Sequence, residues 1–196
     1  MKNQIEKSCK LVGKTFVKAD SMKGVSRAVL ARLAGKGSLQ RIERGIYRRV
    51  DVPLSEFESL AAASLIAPKA TVCLLSALRF HDLTTQNPFE VWMAIAPHAH
   101  RPKAARISLR LVHFSGASLT EGIEEHTVED VSVKIYGVAK TVADCFKFRN
   151  KIGLDIALEA LRETRRKRLC PADEIWHYAK ICRVSNVMRP YLEAIV

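Results

Sequence analysis

The sequence carries five cysteines, Cys9, Cys73, Cys145, Cys170 and Cys182, yet it contains no CxxC pair, and the five are odd in number and widely spaced. That pattern excludes a zinc ribbon and a disulfide framework. Four of the five fall within apolar runs at helix-like spacing, where a free thiol serves as a small core residue. No apolar run approaches the roughly 18 residues a spanning helix needs, and the opening MKNQIEKSCK has no apolar signal core. A cytoplasmic protein without a membrane partner is the expectation. Also missing are a G-x-S-x-G elbow, a P-loop and a Gly-rich dinucleotide loop, so neither catalytic residues nor a cofactor are expected.

Two weaker constellations bear on catalytic and metal chemistry. His98 and His100, with His113 farther on, have no nearby carboxylate or thiol to complete a ligand set, so no metal is expected. Glu121, Glu124, Glu125, Glu129 and Asp130 read as a connection, without the strand pair that orients carboxylates around Mg²⁺ in a nuclease. His81-Asp82 reads as a surface dipeptide at a helix end. The chain shows no internal repeat and no low-complexity tract.

Acidic residues are scarce in one region. The 196 residues hold 48% hydrophobic and 27% charged side chains, ordinary for a globular protein, with a net charge of +12. Residues 1 to 50 contain thirteen of the 32 Lys and Arg but only three of the 20 acids, Glu6, Asp20 and Glu43, a local +10 that leaves +2 for the remainder. Such asymmetry points to a polyanion, nucleic acid first.

Within that segment, Ile5, Cys9 and Val12 suggest one short helix, and Phe16, Val17 and Met22 a second. The third is the best defined. Ser26 is its N-cap, Val25 and Leu30 a hydrophobic staple, Val29, Leu30 and Leu33 its buried stripe, and Gly35 and Gly37 its end. Its other face carries Arg27, Ala28, Ala31 and Arg32, with Lys36 near the end, so small side chains separate long cations. The stretch LQRIERGIYRRV, residues 39 to 50, then reads as a hairpin turning at Glu43, Arg44 and Gly45, with arginines on the rim of the second strand. Helices followed by a basic hairpin give the order of a winged helix-turn-helix, whose third helix enters the major groove while the wing touches the backbone. The candidate DNA contacts are Ser26, Arg27, Arg32, Lys36, Arg41, Arg44, Arg48 and Arg49, with 1–53 as the DNA-binding domain.

Residues 54–196 read as a second, α+β domain. SEFE at 55–58 has the form of a capping box before a helix through Leu60 and Leu65, and Thr71 to Phe80 reads as a buried helix. Alternation marks three strands, at Phe89 to Ala96, around Ile107 to Leu111, and at Val131 to Tyr136, so a small three-stranded sheet is expected. Helical spacing returns at Val142 to Phe146, Ile156 to Leu161 and Ile175 to Cys182. The basic run RRKR at 165–168 closes the middle helix, where cations favour the C-terminal end; the other reading is a second nucleic-acid contact.

The blocks GVSRAVLARLAGKGSLQRIERGIYRR (24–49), CLLSALRFHDLT (73–84), VWMAI (91–95), GIEEHTVEDVSVKIY (122–136) and KTVADCF (140–146), in this order, resemble the AbiEi antitoxin family of type IV toxin-antitoxin systems. The resemblance implies a winged-helix repressor of its own operon that binds inverted repeats, joined to a domain countering a nucleotidyltransferase-like toxin in abortive defence against phage. It also draws attention to Lys140, Thr141 and Asp144 as antitoxin residues. Two positions depart from the pattern: Lys140 stands where Arg is usual and Asp130 where Gly often precedes the third strand. By residue type alone, Thr141 reads as an N-cap or a solvent-facing hydroxyl and Asp144 as a carboxylate near a helix start. The alternative function is a one-component regulator whose second domain senses a ligand.

Overall fold

The computed structural model describes residues 14–18, 26–53, 55–102 and 106–194. The helix expected over Ile5, Cys9 and Val12 lies outside them, as do Val25 of the staple and Met22. The fold is mixed α+β, with a three-stranded antiparallel sheet, a five-stranded sheet and helices. By compactness the chain divides into residues 1–68 with 102–108 and 127–133, and residues 69–101 with 109–126 and 134–196. Helix Glu58–Ile66 thus falls in the first unit.

In the first unit, helix α1 (Arg27–Gly35) begins as its sequence directs. Ser26 has extended backbone and its hydroxyl accepts from the Val29 N–H at 3.3 Å, satisfying a donor that the helix itself cannot. At the other end Gly37, at φ +75°, lets the Gly37 and Ser38 N–H groups return to the Ala34 and Leu33 carbonyls, both at 3.1 Å. Leu30 is fully buried, against Val17, Leu39 and Tyr47.

Strands β2 (Leu39–Glu43) and β3 (Ile46–Arg49) form the expected hairpin, with Gly45 at φ +77° in the turn and a register shift between Arg41 and Glu43. Phe16 and Val17, expected in a helix, instead lie in strand β1 (Phe16–Lys18), antiparallel to β3, so the sheet order is β1-β3-β2. A β-branched and an aromatic residue suit a strand, and pairing satisfies the free edge of β3. This places β3 in the centre of the sheet. Ile46, Tyr47 and Arg48 are all buried in consequence, which replaces the expected alternation between a core face and an arginine rim.

Helix α2 (Glu58–Ile66) starts three residues after Ser55 and has no side-chain cap, so the SEFE capping box does not form. Glu58 turns to Arg48 instead, and the Ser55 hydroxyl bonds Glu129. A buried guanidinium outcompetes a local cap worth about 1 kcal/mol.

The second sheet has five strands, not three. Its order is β6-β5-β4-β8-β7, built from β4 (Thr71–Val72), β5 (Val91–Ile95), β6 (Leu109–His113), β7 (Ile123–Val128) and β8 (Val131–Tyr136). β4 is antiparallel to β5 and parallel to β8, and β5 is parallel to β6. Thr71 and Val72, expected to be helical, bridge two halves of the sheet, and helix α3 (Leu74–Phe80) starts after Cys73. The acidic connection of the sequence reading contains β7, an edge strand with one buried residue, Val128. An edge strand with little to bury shows no apolar alternation. The β7–β8 turn holds Glu129 and Asp130 at φ +50° and +60°; the left-handed backbone at Asp130 explains why glycine suits that position, and Asp tolerates it better than most.

Short helix α4 (Ala117–Thr120) precedes β7. Helices α5 (Val138–Lys147), α6 (Arg149–Ile152), α7 (Leu154–Arg166), α8 (Ala172–Ile181) and α9 (Ser185–Ala194) follow the sheet. They enclose the larger core, which includes Leu78, Phe114, Tyr136, Val142, Phe146, Leu161 and Ile175. No helix among the described residues is long and apolar enough to cross a membrane.

Candidate functional site

The cationic face of α1 is built as its sequence orders it. Arg27, Ala28, Ala31, Arg32 and Lys36 are exposed, while Leu30 faces inward and Val29 and Leu33 are half-buried. On the hairpin, Arg41 and Arg44 are exposed. Arg106, distant in sequence, donates from Nη1 to the Arg41 carbonyl at 2.8 Å and is itself exposed, adding a cation beside β2 that no local pattern announced.

Two arginines of the sequence-derived set are engaged elsewhere. Arg48 is 5% exposed; its Nε lies 2.9 Å from Glu58 Oε1, at an angle that makes an ion pair and not a directed hydrogen bond, while Nη2 donates to the Val52 carbonyl at 2.6 Å. It braces the inside of the unit and is not available to a phosphate. Arg49 is half-buried and forks onto Asp51, its Nε donating to Oδ1 at 2.9 Å and Nη2 to Oδ2. The guanidinium hydrogen bond holds the Asp51 carboxyl below the usual carboxylate range. Ser26 spends its hydroxyl on the cap.

Lys140, Thr141 and Asp144 of the KTVADCF block are fully buried, which corrects the reading of Thr141 as an N-cap or solvent-facing hydroxyl and of Asp144 as a carboxylate near a helix start. Gly137, not Thr141, is the N-cap of α5. The Thr141 hydroxyl donates to the Tyr136 carbonyl at 2.9 Å, and Asp144 sits a full turn beyond Lys140, past the reach of the N-terminal dipole. Lys140 Nζ donates to Asp144 Oδ2 at 2.5 Å, and the Cys182 thiol donates to Oδ1 at 3.2 Å. The ammonium also lies 4.1 Å from the ring centre of Tyr136 and 4.9 Å from that of Phe114, two rings stacked 9° from parallel. Burial pushes the Asp144 carboxyl above its ordinary value against the pull of Lys140, and burial with the Asp144 charge pushes the Cys182 thiol up to about 12. A β-carbon at Gly122, where φ is +74°, would stand 2.8 Å from Lys140 Cβ, so the chain closes tightly over the lysine stem. Chemically this is a sealed ion pair in an aromatic slot, with no surface open to a partner.

His98 and His100 lie exposed after β5, and no group of three or more His, Cys, Asp or Glu suited to a metal occurs among the described residues. His81 is half-buried, its Nε2 2.8 Å from the Tyr136 carbonyl, and burial lowers its pKa, while Asp82 beside it is exposed. In the 165–168 run, Arg166 pairs with Glu163 and Lys167 binds Asp82 Oδ2 at 2.6 Å, and Arg168, at φ +52°, ends α7.

No family model matches the chain, and no curated protein matches it. Among solved structures, the fold is similar to the crystal structure of the RV2827C protein from Mycobacterium tuberculosis, with a TM-score of 0.61 at 10% identity, over 92% of this chain and 75% of that one. At that identity the likeness is one of fold.

Proposed function

We propose that the chain is a DNA-binding transcriptional repressor whose first unit works as a winged helix-turn-helix and whose second unit is an antitoxin. In this reading α1 is the recognition helix, the β2–β3 hairpin is the wing, and the ligand is the duplex of the chain's own operator, with inverted repeats. The observation that carries it is the outward face of α1. Arg27, Arg32 and Lys36 are exposed there, with the small residues Ala28, Ala31 and Gly35 between them, and a hairpin with exposed Arg41 and Arg44 follows directly. Small residues let a helix approach a groove while long cations reach phosphates and base edges. The +10 charge of residues 1 to 50 and the β1-β3-β2 order support the same reading. Arg106 joins the wing, and Arg48 and Arg49 leave the list of contacts.

The antitoxin half rests on the sequence resemblance to the AbiEi family and involves neutralising a nucleotidyltransferase-like toxin. It requires no catalysis by this chain. Since Lys140, Thr141 and Asp144 are sealed, neutralisation uses other residues of the second unit.

Competition binding of the full chain to operator and random duplex tests the first half. Arg32→Ala should lose preference for operator, while Arg44→Ala and Arg106→Ala should weaken both duplexes alike. A protein that binds neither duplex at low salt contradicts the proposal. Colony survival under an induced neighbouring toxin tests the second half: a full chain that represses but fails to rescue leaves the ligand-sensing regulator in its place.

A further inference from the structure

The second unit holds a charged groove to which the proposed function assigns no role. It has a volume of about 510 Å³, within the range of roughly 300 to 1,000 Å³ typical of small-ligand sites. Three cations reach it from three separate stretches: Arg101 beyond β5, Arg110 on β6 and Lys151 on α6. Arg110 and Trp92 are register partners on adjacent strands, so their side chains share a face, and the guanidinium lies 5.5 Å from the ring centre. β6 is an edge strand, so the groove lies at the margin of the sheet.

One carboxylate enters, Glu90, whose Oε2 is 4.0 Å from Arg110 Nη1, the outer limit of an ion pair. Arg110 is 58% exposed and Lys151 is exposed, with its Nζ 5.5 Å from the Phe148 ring centre. Among the described lining residues, three cations against one acid give a formal +2. Like charges gathered at one groove raise its positive potential and draw an anion into it. Two guanidinium forks and an ammonium match the oxygens of adjacent phosphoryl groups. The Arg110 guanidinium over the indole adds a flat surface suited to a planar ring.

We infer that the groove lined by Arg101, Arg110 and Lys151 over Trp92 binds a small ligand carrying a diphosphate group. The site belongs to the second unit alone, so it stands or falls independently of DNA binding by α1.

Isothermal titration of the full chain with ADP, pyrophosphate and adenosine tests it. ADP and pyrophosphate should bind with one site per chain, and adenosine should give no heat. ADP binding tighter than pyrophosphate identifies a nucleotide as the source of the diphosphate, and equal affinities identify a ligand without a base. Arg110→Ala and Lys151→Ala should each weaken binding about tenfold, with an unchanged melting temperature because both side chains are exposed. Arg166→Ala, a cation elsewhere on the same unit, should leave affinity as it is. Absence of ADP and pyrophosphate heat at millimolar concentration overturns the inference, as does binding that both groove variants leave unchanged. If the groove variants instead cost the chain its affinity for duplex DNA while ADP gives no heat, the groove is a nucleic-acid surface and the small-ligand site is disproved.

Discussion

The two units differ in the setting of their most conspicuous cations. In the first, Arg27, Arg32, Lys36, Arg41 and Arg44 are exposed around a modest core of Val17, Leu30, Leu39 and Tyr47. In the second, Lys140 is enclosed with Asp144, Tyr136 and Phe114 inside the larger core. Arg48 shows that the first unit contains both kinds, since it lies on the same hairpin as Arg44 yet pairs inwardly with Glu58. A cation's role therefore depends on what surrounds it in three dimensions. Exposed cations add little to stability and much to encounter with a polyanion, whereas a buried one is destabilising the moment its partner is removed.

The largest expected effect is in the second unit. Asp144→Ala should cost about 3 to 5 kcal/mol, the usual loss when one member of a buried pair is deleted. Chemical denaturation of the full chain measures it, and a loss under about 1 kcal/mol would mean the pair is not held as described. Pairing Asp144→Leu with Lys140→Met should recover much of the loss, because the uncompensated charge is then gone.

Arg48→Ala should cost about 3 kcal/mol by leaving Glu58 unpaired at 16% exposure. Arg44→Ala, four residues earlier, should stay within about 0.5 kcal/mol of the parent. Equal effects of the two would erase the distinction between inward and outward arginines.

A smaller effect comes from acid. Burial lowers the His81 pKa below its ordinary 6.5, so the unfolded chain takes up a proton first. The stability it contributes is fully present above about pH 6.5 and is lost as pH falls through the lower, folded value. Melting temperatures between pH 7 and 5 should fall more in the parent than in His81→Gln, which keeps a donor for the Tyr136 carbonyl. Parallel pH profiles would show that His81 does not titrate differently on folding.

Legibility followed locality. Helix α1 could be read with both ends because its signals, Ser26 and Gly37, act within a few residues of where they stand. The β2–β3 hairpin was legible through Gly45 and its flanking runs, and β5 and β8 through their β-rich composition. What failed depended on distant partners. Phe16 and Val17 became a strand because β3 offered an edge, and the two-residue β4 is a strand only because β5 and β8 flank it. The helix pattern around Lys140 gave no sign of burial, since a lysine in sequence carries no mark of the rings that cover it. Likewise Arg106 reaches the hairpin from 65 positions away.

The central claim is that the exposed cations of the first unit form a surface for duplex DNA. The salt dependence of binding by the full chain tests it most directly, comparing the parent with Arg44→Ala and Arg106→Ala. Each phosphate contact should contribute about −0.9 to the slope of log affinity against log salt, so each variant that removes one should flatten the slope by about that amount without changing the melting temperature. An affinity indifferent to salt, or a slope that neither variant alters, would contradict the account.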